Sequence, residues 1–404
     1  MSISILYHTQ NIVGYTYERT FYQEGTCIFK IAPQERLFRC PICGNQEVQS
    51  RGSVQRKILL LPTGCHKNYA QVDIPRVYCP KCGTLRQIRL GFAEEYRSCS
   101  KLFERYVCDL CKVMTIHDVA QHLDISWSTV KDIHKRYLNK KYKTPSLKNI
   151  YKIAIDEIYC GKGTKYLTIV LNLENGAVVF VGEGKGAEAL EPFWEKLGRR
   201  KKKIQSVAID MSQAYTNAVR ENLPKATQVY DHFHVIKLYN EKLSDFRRDL
   251  YRETEDADMK ALLKGTRWLL LKNRENLNEE KKEWNRLEAV LSANQPLLAA
   301  YYMKEELHRI WEQKDMERGA EEFDEWLKMA EVSGVRMLKK FAKTLREHRV
   351  GILNYYKSRI TTAALEGTNT KIRVLQKRAY GYRDKEYLKL RILALHESNF
   401  QKTV

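Results

Sequence analysis

The sequence predicts a multidomain α+β protein, and three observations along its 404 residues carry that prediction. Paired cysteine motifs in a turn-rich N-terminal region indicate a small β domain supported by a metal ion. A stretch of two short helical patterns joined by a turn follows. Beyond it, β-type apolar runs alternate with helical patterns and give way to a long Lys- and Glu-rich helical segment. A chain of this length is expected to form roughly two to four domains.

The composition points to a polyanionic partner. The formal net charge is +21 and the pI is about 9.4. Nucleic acid is the simplest such partner, with ribosomal-type basicity or general solubility as alternatives. No apolar run approaches membrane-spanning length, and residues 1–8 lack the basic region and long apolar core of a signal peptide. We therefore expect a cytoplasmic protein without membrane contact, whose ten cysteines are metal ligands or buried thiols.

Residues 1–97 have the pattern of short strands and turns, and they contain two near-copies of one turn. These copies are Cys40-Pro-Ile-Cys43-Gly and Cys79-Pro-Lys-Cys82-Gly. The spacing lets both thiolates of each turn face one ion, and the following glycine lets the backbone turn so that amides point at the sulfurs. Four thiolates form a closed site. We therefore predict a zinc-ribbon domain with a structural Zn²⁺ bound by Cys40, Cys43, Cys79 and Cys82.

A third cysteine pair, Cys108 and Cys111, has the same spacing but lacks the proline and the glycine. It lies within the helical run 101–114, where a cysteine acts as a small apolar side chain. We interpret both cysteines as core residues, with a further metal site as the alternative.

Residues 98–140 have the pattern of a helix-turn-helix domain. The small Ala120 permits a close crossing of the two helices, and Ser126 is a good N-cap for the second one. Asp124 occupies the turn position where glycine is common, and aspartate tolerates the left-handed conformation. The start of the second helix would meet base edges in the major groove and later cations would reach phosphates, with a structural helical hairpin as the alternative. The DNA-contact residues predicted in this way are Ser126, Trp127, Ser128, Thr129, Lys131, Lys135 and Arg136.

Residues 150–235 alternate strands and helices. The predicted strands are 153–159, 166–172, 177–182, 204–210 and 227–230, and the predicted helices are 187–197 and 214–222. This order, β-β-β-α-β-α-β, is that of the ribonuclease H-like α/β fold. In such a sheet the first and fourth strands are neighbours, so the residues that end them come together.

Residues 236–355 are predicted to be helical throughout and are rich in Lys and Glu. Their aromatic residues provide candidate core positions. The predicted core anchors are Trp268, Trp284, Trp311 and Trp326.

Three carboxylates are predicted to converge on one point. Asp156 and Asp210 each end an apolar run, and Glu366 opens a helical stretch. Ionised carboxylates are rarely buried unless they are paired or bind a metal. Three of them can hold two Mg²⁺ or Mn²⁺ ions, which can drive cleavage of a phosphodiester without a covalent enzyme intermediate. Glu157 would point to the opposite face of the strand and is excluded.

Four further residues are candidates for a supporting role. Asp231 follows the last predicted strand and suits an outer position of the site or a helix N-cap. His234 suits a contact to a phosphate or to the metal region, with a satisfied core histidine as the alternative. Asn369 and Arg373 lie one and two turns after Glu366 on the same helix face. Both are predicted to hold DNA near the metals, and a solvated helix face is the alternative.

The motifs around these residues resemble one known family. They are Ile-Asp156-Glu-Ile, Ala-Ile-Asp210-Met-Ser-Gln-Ala-Tyr, Asp231-His-Phe-His234-Val-Ile-Lys, and Leu-Glu366-Gly-Thr-Asn-Thr-Lys followed by Arg-Ala-Tyr-Gly-Tyr-Arg-Asp. Together with the N-terminal modules they resemble the bacterial insertion-sequence transposases of the ISL-three group over almost the whole chain. The resemblance implies that Asp156, Asp210 and Glu366 form a DDE triad. It also implies that residues 236–355 are an all-helical insertion and that 356–404 supply the final helices of the catalytic core.

The resemblance implies a DNA transposase acting on the bacterial nucleoid. It would bind the terminal inverted repeats of its element, cleave at the ends and join the 3′ ends to target DNA. Two Mg²⁺ or Mn²⁺ ions would be catalytic and Zn²⁺ structural, and a homodimer or larger assembly on DNA is expected. The alternatives are a ribonuclease H-like nuclease or resolvase without strand transfer, and a non-catalytic DNA-binding regulator.

Overall fold

The computed structural model describes residues 5–161 and 165–396, which form two compact units. The first unit ends at Lys141 and the second comprises Tyr142–His396. The first therefore contains both predicted N-terminal domains, and the second contains the α/β and helical regions. Of the predicted final region 356–404, residues 397–404 lie outside the described residues. None of the described helices is long and apolar enough to cross a membrane.

The first unit is built on a five-stranded sheet. Its elements are α1 (Ile5–Gln10), β1 (Tyr15–Gln23), β2 (Thr26–Pro33), β3 (Gln49–Thr63), β4 (His66–Cys79) and β5 (Thr84–Gln87), with a 3-10 turn at Glu35–Leu37. The strand order is β1-β2-β4-β3, and β5 pairs with β4. β3 and β4 are 15 and 14 residues long, so the prediction of short strands was wrong. Gly52 and Pro75 are typical of breaks, but the antiparallel ladder continues past both, with a register shift between Ser50 and Ser53.

Three helices complete the first unit: α2 (Lys101–Val113), α3 (Ile116–Leu123) and α4 (Trp127–Tyr142). Their inward faces form a small apolar cluster that includes Val119, Val130 and Ile133. Cys108 and Cys111 are buried in this cluster, which agrees with their interpretation as core residues.

The second unit contains a five-stranded mixed sheet. Its strands are β6 (Lys152–Gly161), β7 (Lys165–Asn172), β8 (Val178–Glu183), β9 (Ser206–Ile209) and β10 (Thr227–Tyr230). The order is β10-β9-β6-β7-β8. β6, β7 and β8 are antiparallel neighbours, whereas β9 runs parallel to both β6 and β10. The predicted first and fourth strands are therefore adjacent, as β6 and β9.

Helices flank this sheet and form most of the rest of the unit. They are α5 (Glu191–Leu197), α6 (Gln213–Asn222), α7 (His232–Glu253), α8 (Ala257–Leu263), α9 (Arg267–Leu271), α10 (Glu283–Ala293), α11 (Gln295–Glu312), α12 (Met316–Val332), α13 (Arg336–Leu353), α14 (Tyr355–Ser358), α15 (Ala363–Arg378) and α16 (Lys385–Leu393). Short 3-10 segments lie at Ala187–Leu190, Gly198–Lys203 and Arg274–Asn276. One continuous core joins the sheet to α7–α13.

The tryptophans of the helical segment do not all anchor that core. Trp311 and Trp326 are buried and Trp284 packs partly against the core. The prediction for Trp268 was wrong, because its side chain is 66% exposed. α9 is a short helix whose Leu269 and Leu270 fill its inward face, so Trp268 is left outside, where the Arg267 guanidinium lies 4.9 Å from its ring centroid.

The helical segment returns to the sheet at β10. Gly351 on α13 lies against the ring of Tyr230 at the end of β10, and any Cβ at 351 would overlap that ring. The Asn354 amide donates to the backbone carbonyl of Gln228 at 2.9 Å. After this close approach, the chain continues to Thr362 and α15, which lie beside β10, the strand that precedes Asp231.

Candidate functional site

The four predicted zinc ligands are brought together in the first unit. Cys79 ends β4 and Cys82 lies in the turn before β5, while Cys40 and Cys43 lie in the turn before β3. The backbone amides of Gly44 and Gly83 donate to the carbonyls of Cys40 and Cys79, both at 2.9 Å. Both glycines have positive φ, of 75° and 64°, as the motif requires. We call these four cysteines the cysteine cluster.

The geometry of the cysteine cluster suits a tetrahedral thiolate site. Its four sulfur atoms all lie within 4.8 Å of one another. The Cys43 and Cys79 Sγ atoms are 3.7 Å apart, and two ligands of a tetrahedral Zn²⁺ with bonds of about 2.3 Å are separated by about 3.8 Å. The cluster therefore fits a structural Zn²⁺ with no open coordination position.

Helices α3 and α4 and the turn that joins them form the predicted helix-turn-helix. Asp124 has φ +48°, the left-handed turn conformation expected from the sequence. The Lys67 ammonium on β4 is 2.5 Å from the Asp124 carboxylate, which ties the turn to the sheet. Ser126 Oγ accepts from the Thr129 amide at 3.2 Å and so caps the start of α4.

The predicted DNA-contact residues differ in how accessible they are. Trp127 is 60% exposed, and Ser126 and Ser128 are also exposed at the first turn of α4. Thr129, Lys131 and Lys135 are partly buried. Arg136 was predicted to contact a phosphate. In this structure its guanidinium pairs with Glu104 at 2.8 Å and with Asp132 at 3.2 Å. These ion pairs join α4 to α2.

Asp156 occupies the middle of β6 and is held by hydrogen bonds on both carboxylate oxygens. Oδ1 accepts from the Glu157 amide at 2.8 Å, and Oδ2 accepts from the Asn369 side-chain amide at 2.8 Å. Burial raises the pKa of Asp156, and this outweighs the opposing effects of the His234 charge and the Glu157 amide. The nearby Asp210 charge raises the pKa further.

Asp210 and Glu366, the other two predicted carboxylates, lie on two other elements. Asp210 directly follows β9, the strand beside β6, and its Oδ1 accepts from the Ser212 amide at 3.0 Å. Glu366 lies in the first turn of α15, exposed, one turn before Asn369. Asn369 contacts Asp156 directly, so the helix that carries Glu366 packs against β6. We call Asp156, Asp210 and Glu366 the carboxylate site.

The carboxylate site is more open than the cysteine cluster. Across the described part of the chain, only the cysteine cluster gathers three or more potential ligand atoms within 4.8 Å of one another. Carboxylates that share two ions from different sides need not meet in this way. Asn369 Oδ1 is buried and has no hydrogen-bond partner among the described residues, so a free oxygen ligand faces this region. The set of hard oxygen donors fits Mg²⁺ or Mn²⁺.

Asp231 connects two distant parts of the second unit. It is 1% exposed and lies between β10 and α7. Its carboxylate accepts from the Thr362 amide at 3.1 Å and from the Thr362 hydroxyl at 2.7 Å. Thr362 immediately precedes α15, so Asp231 fixes the start of the helix that carries Glu366. Sequence reasoning did not identify Thr362, although a threonine just before a helix is a recognisable capping signal.

His234 links Asp231 to the carboxylate site. Its Nδ1 lies 3.2 Å from Asp231 Oδ2. Burial alone would lower the pKa of His234, but the bond to Asp231 and the charges of Asp156 and Asp210 outweigh it and raise the pKa. Asp231 behaves in the opposite sense, since hydrogen bonds from His234 and Thr362 outweigh burial and lower its pKa. Both shifts favour the charged forms of the two side chains.

The remaining predicted residues fall on different surfaces. Asn369 is 5% exposed and points inward to Asp156, so it lies neither on a solvated face nor free to hold DNA. Arg373 is exposed, one turn further along α15. Glu157 accepts from the Tyr215 hydroxyl of α6 at 3.3 Å. Asp156 and Glu157 thus contact different helices, as strand alternation predicted.

Family models match the chain in three consecutive segments. Residues 36–82 match the zinc-finger of transposases IS204, IS1001, IS1096 and IS1165, and residues 88–138 match the helix-turn-helix domain of transposase family ISL3. Residues 153–392 match the transposase domain of the same family. The segments coincide with the cysteine cluster, the helix-turn-helix and the carboxylate site.

Curated relatives align with nearly the full chain. The transposase for insertion sequence element IS1001 of Bordetella parapertussis is 32% identical over 392 residues, which cover 96% of each chain. The transposase for IS1557 of two Mycobacterium tuberculosis strains is 26% identical over 387 residues, covering 89% of this chain and 86% of theirs. Among solved structures, the Drosophila P element transposase strand transfer complex gives a TM-score of 0.39 at 12% identity, covering 72% of this chain and 91% of that one.

The transposase-domain match spans more than half of the chain, and the IS1001 relative spans almost all of it. The resemblance stated from the sequence motifs is thereby confirmed, as are the zinc-ribbon and helix-turn-helix modules. The chain belongs to the transposase family ISL3.

Proposed function

We propose that this transposase cleaves DNA at the ends of its insertion sequence and joins the 3′ ends to target DNA, with Asp156, Asp210 and Glu366 as metal ligands. The observation that carries the proposal is the meeting of three distant segments at Asp156. Asp210 follows the neighbouring strand β9, and the Asn369 amide on the helix of Glu366 bonds Asp156 at 2.8 Å. When bound, two divalent ions activate the attacking oxygen and neutralise the leaving 3′ oxygen.

The sheet supports a ribonuclease H-like assignment for the catalytic core. Three antiparallel strands followed by two strands parallel to the first have the order β10-β9-β6-β7-β8. In this proposal residues 236–355 form an all-helical insertion between the strand before Asp231 and the helix of Glu366. The pairing of Asp231 with Thr362 supports it, because it brings the two ends of the helical segment together.

The residues around Asp156 are proposed to keep the carboxylate site ready for cations. Asn369 orients Asp156 and offers its free Oδ1 toward the same region. The positive charge of His234 offsets part of the repulsion between Asp156 and Asp210. Asp231 holds His234 and, through Thr362, the start of α15. Asp231 and His234 are therefore positioning residues, and Arg373 is proposed to contact a DNA phosphate.

Recognition of the terminal inverted repeats is assigned to the first unit. Ser126, Trp127, Ser128 and Thr129 at the start of α4 are proposed to face base edges, with Lys131 and Lys135 near the backbone. The cysteine cluster would hold Zn²⁺ and stabilise the fold of the ribbon. Two element ends must be brought together for coupled joining, so we propose at least a dimer on DNA, acting in the cytoplasm on the nucleoid.

The test separates binding, cleavage and joining. Asp156→Ala, Asp210→Ala and Glu366→Ala should each reduce Mg²⁺-dependent cleavage of an element-end duplex by about a thousandfold or more, while affinity for the duplex persists. Glu157→Ala is the matched control, since this neighbouring carboxylate contacts Tyr215. Cleavage that survives in all three variants would overturn the assignment.

Pre-cut ends distinguish transposition from simple hydrolysis. The proposal expects the wild-type protein to join a recessed 3′ hydroxyl to a supercoiled target in Mg²⁺ or Mn²⁺. Cleavage of uncut ends without any joining of pre-cut ends would identify a nuclease or resolvase. Specific binding with neither reaction would identify a DNA-binding regulator.

A further inference from the structure

The loop after α15 exposes one tyrosine completely. Tyr380 is 100% exposed and has φ +51°, and Gly381 follows with φ +101°. The Tyr380 amide donates to the Lys377 carbonyl at 3.1 Å, and the Gly381 amide donates to the Gln376 carbonyl at 3.0 Å, which closes the end of the helix. Glycine usually occupies this left-handed closing position because a side chain strains it. A tyrosine here costs stability without returning any packing.

The neighbouring tyrosine behaves in the opposite way. Tyr382 is partly buried, its ring centroid lies 5.9 Å from that of Tyr387 on α16, and burial raises its pKa. Tyr382 therefore supports the packing of the loop against α16. The ring of Tyr380 makes no comparable packing contact and is therefore accessible to a partner outside the protein.

Tyr380 ends a line of exposed residues that begins at the carboxylate site. Glu366, Thr370, Arg373 and Lys377 recur at spacings of three or four residues and are all exposed, so they lie on one face of α15. We call this line the α15 stripe. Residues 367–383 contain five Lys or Arg and no Asp or Glu. The five cations are Lys371, Arg373, Lys377, Arg378 and Arg383.

The charge and the reach of the α15 stripe match a DNA strand that leaves the carboxylate site. At about 1.5 Å per residue, Tyr380 lies roughly 20 Å along the helix from Glu366. Along the axis of double-stranded DNA, each strand carries one phosphate about every 3.4 Å, so this length corresponds to about six nucleotides of duplex. Cations along the stripe would meet phosphates, and an aromatic ring beyond them suits a base, because every base presents a flat π-face.

We propose that Tyr380 stacks on an unpaired base of the DNA strand held by the α15 stripe, about six nucleotides from the phosphodiester at Glu366. The inference rests on the proposed function and adds a contact that positions the strand end. An aromatic clamp at this distance would keep the strand from sliding or rotating during cleavage and joining. The fully exposed ring of Tyr380 is accessible to such a base.

The decisive variant is Tyr380→Gly. If Tyr380 supported the fold, this variant would be less stable; if Tyr380 binds DNA, the variant should be more stable but bind DNA more weakly. Glycine relieves the left-handed strain and should raise the unfolding midpoint by about 2 °C. Loss of stacking should weaken binding of a cut element-end duplex about tenfold and lower joining in proportion. Tyr380→Phe keeps the ring and should match the wild type. Tyr382→Phe is the neighbouring control and should leave DNA affinity unchanged.

A fluorescent base reports the contact directly. The probe is a duplex carrying the inverted repeat that borders the gene, cut at the element end, with an unpaired 2-aminopurine about six nucleotides from the cut. Wild type and Tyr380→Phe should quench the 2-aminopurine, and Tyr380→Gly should leave it bright. The salt dependence of affinity should stay unchanged in Tyr380→Gly, whereas Lys377→Ala should reduce its slope by about one.

The outcome is separable from that of the proposed function. If Tyr380→Gly binds, quenches and joins like the wild type, the stacking contact is overturned even though cleavage by the wild type and its loss in Asp156→Ala still support the transposase assignment. If the wild type itself neither cleaves nor joins, the proposed function fails first. If Tyr380→Phe loses as much DNA affinity as Tyr380→Gly, stacking is also overturned, because the hydroxyl would then be the contact.

Discussion

The cysteine cluster and the carboxylate site are both candidate metal centres, yet the protein builds them in opposite ways. Each pair of cysteines comes from one tight turn, and all four sulfurs lie within 4.8 Å of one another. The three carboxylates come from a strand, a strand end and a helix, and the hydrogen bond from Asn369 holds two of these segments together at Asp156. The cysteine cluster is closed by its own ligands, whereas the carboxylate site is more open and depends on the residues around it.

The electrostatics of the two centres explain part of this difference. Burial opposes the ionisation of Asp156, and Asp210 adds repulsion. His234 lies nearby and is held by Asp231, and its pKa is raised by the bond to Asp231 and by the charges of Asp156 and Asp210. In the cysteine cluster, a bound Zn²⁺ would itself offset part of the negative charge of the thiolates.

The largest expected effect comes from breaking the cysteine cluster. Cys79→Ser removes a fully buried sulfur at the end of β4. Structural Zn²⁺ is worth on the order of 10 kcal/mol in small zinc domains, so we expect the ribbon to lose its fold and the protein to lose DNA affinity. Zinc content by atomic absorption and protection of β4 amides from hydrogen exchange measure this.

The matched control is Cys65→Ser, which alters an exposed cysteine outside the cluster. It should retain zinc and DNA affinity. Equal zinc content in the Cys79→Ser variant and the wild type would contradict the assignment of the cluster.

The next largest effect is expected at Asp231. Asp231→Ala removes a buried carboxylate that accepts from Thr362 twice and from His234. We expect the free energy of unfolding of the second unit to fall by about 3 kcal/mol, because the partners lose a charged acceptor in a buried place. Urea unfolding followed by far-UV circular dichroism measures the change.

Asp324→Ala is the control, since Asp324 forms an exposed ion pair with Arg349 in the same unit. Loss of this ion pair should lower the free energy of unfolding by no more than about 1 kcal/mol. If both variants lose the same stability, Asp231 has no special positioning role.

A smaller effect of opposite sign is expected at Asp156. Asp156→Asn removes a charge that burial disfavours, so without metal it should stabilise the protein by up to about 1 kcal/mol. Adding Mg²⁺ should raise the unfolding midpoint of the wild type and leave that of the variant nearly unchanged. Differential scanning calorimetry with and without Mg²⁺ tests both statements, and an equal Mg²⁺ response in the two proteins would count against Asp156 as a ligand.

The smallest effect is a pH dependence carried by His234. Its pKa is raised in the folded protein, so its stabilising contribution is complete below the unfolded pKa and disappears as the pH rises through the folded one. The free energy of unfolding of the wild type should exceed that of His234→Gln by about 1 kcal/mol near pH 6. This difference should fade toward pH 9. Thermal unfolding across this range measures it. In an Asp231→Asn background the dependence should be largely absent, and a difference that grows with pH would contradict the ion pair.

Much of the second unit's sheet could be predicted, because its strands are continuous apolar runs. The strand predicted at 227–230 is observed as Thr227–Tyr230, and that predicted at 166–172 differs by one residue. β9 is shorter than predicted, ending at Ile209, because Asp210 turns its carboxylate to the Ser212 amide. The helix predicted at 187–197 starts as a 3-10 turn before the proline at the second position of α5.

Features that depend on distant partners could not be predicted from local pattern. Asn369 lies on the same helix face as Glu366, but only the packing of α15 against β6 shows that it bonds Asp156, 213 residues away. Trp268 was taken for a core residue because hydrophobicity does not reveal which face of a short helix is covered. Arg136 was taken for a phosphate contact because its partner Glu104 lies on another helix.

The hydrogen bonds between Asp231 and Thr362 close a loop of 131 residues at its two ends. The entropy of closing a loop grows only with the logarithm of its length, so doubling it costs about 0.6 kcal/mol. Helices can therefore be gained or lost between these two residues at small cost to the geometry around Glu366. Such a joint lets the intervening helices diverge in length and surface during evolution while the chemistry beside them stays constant.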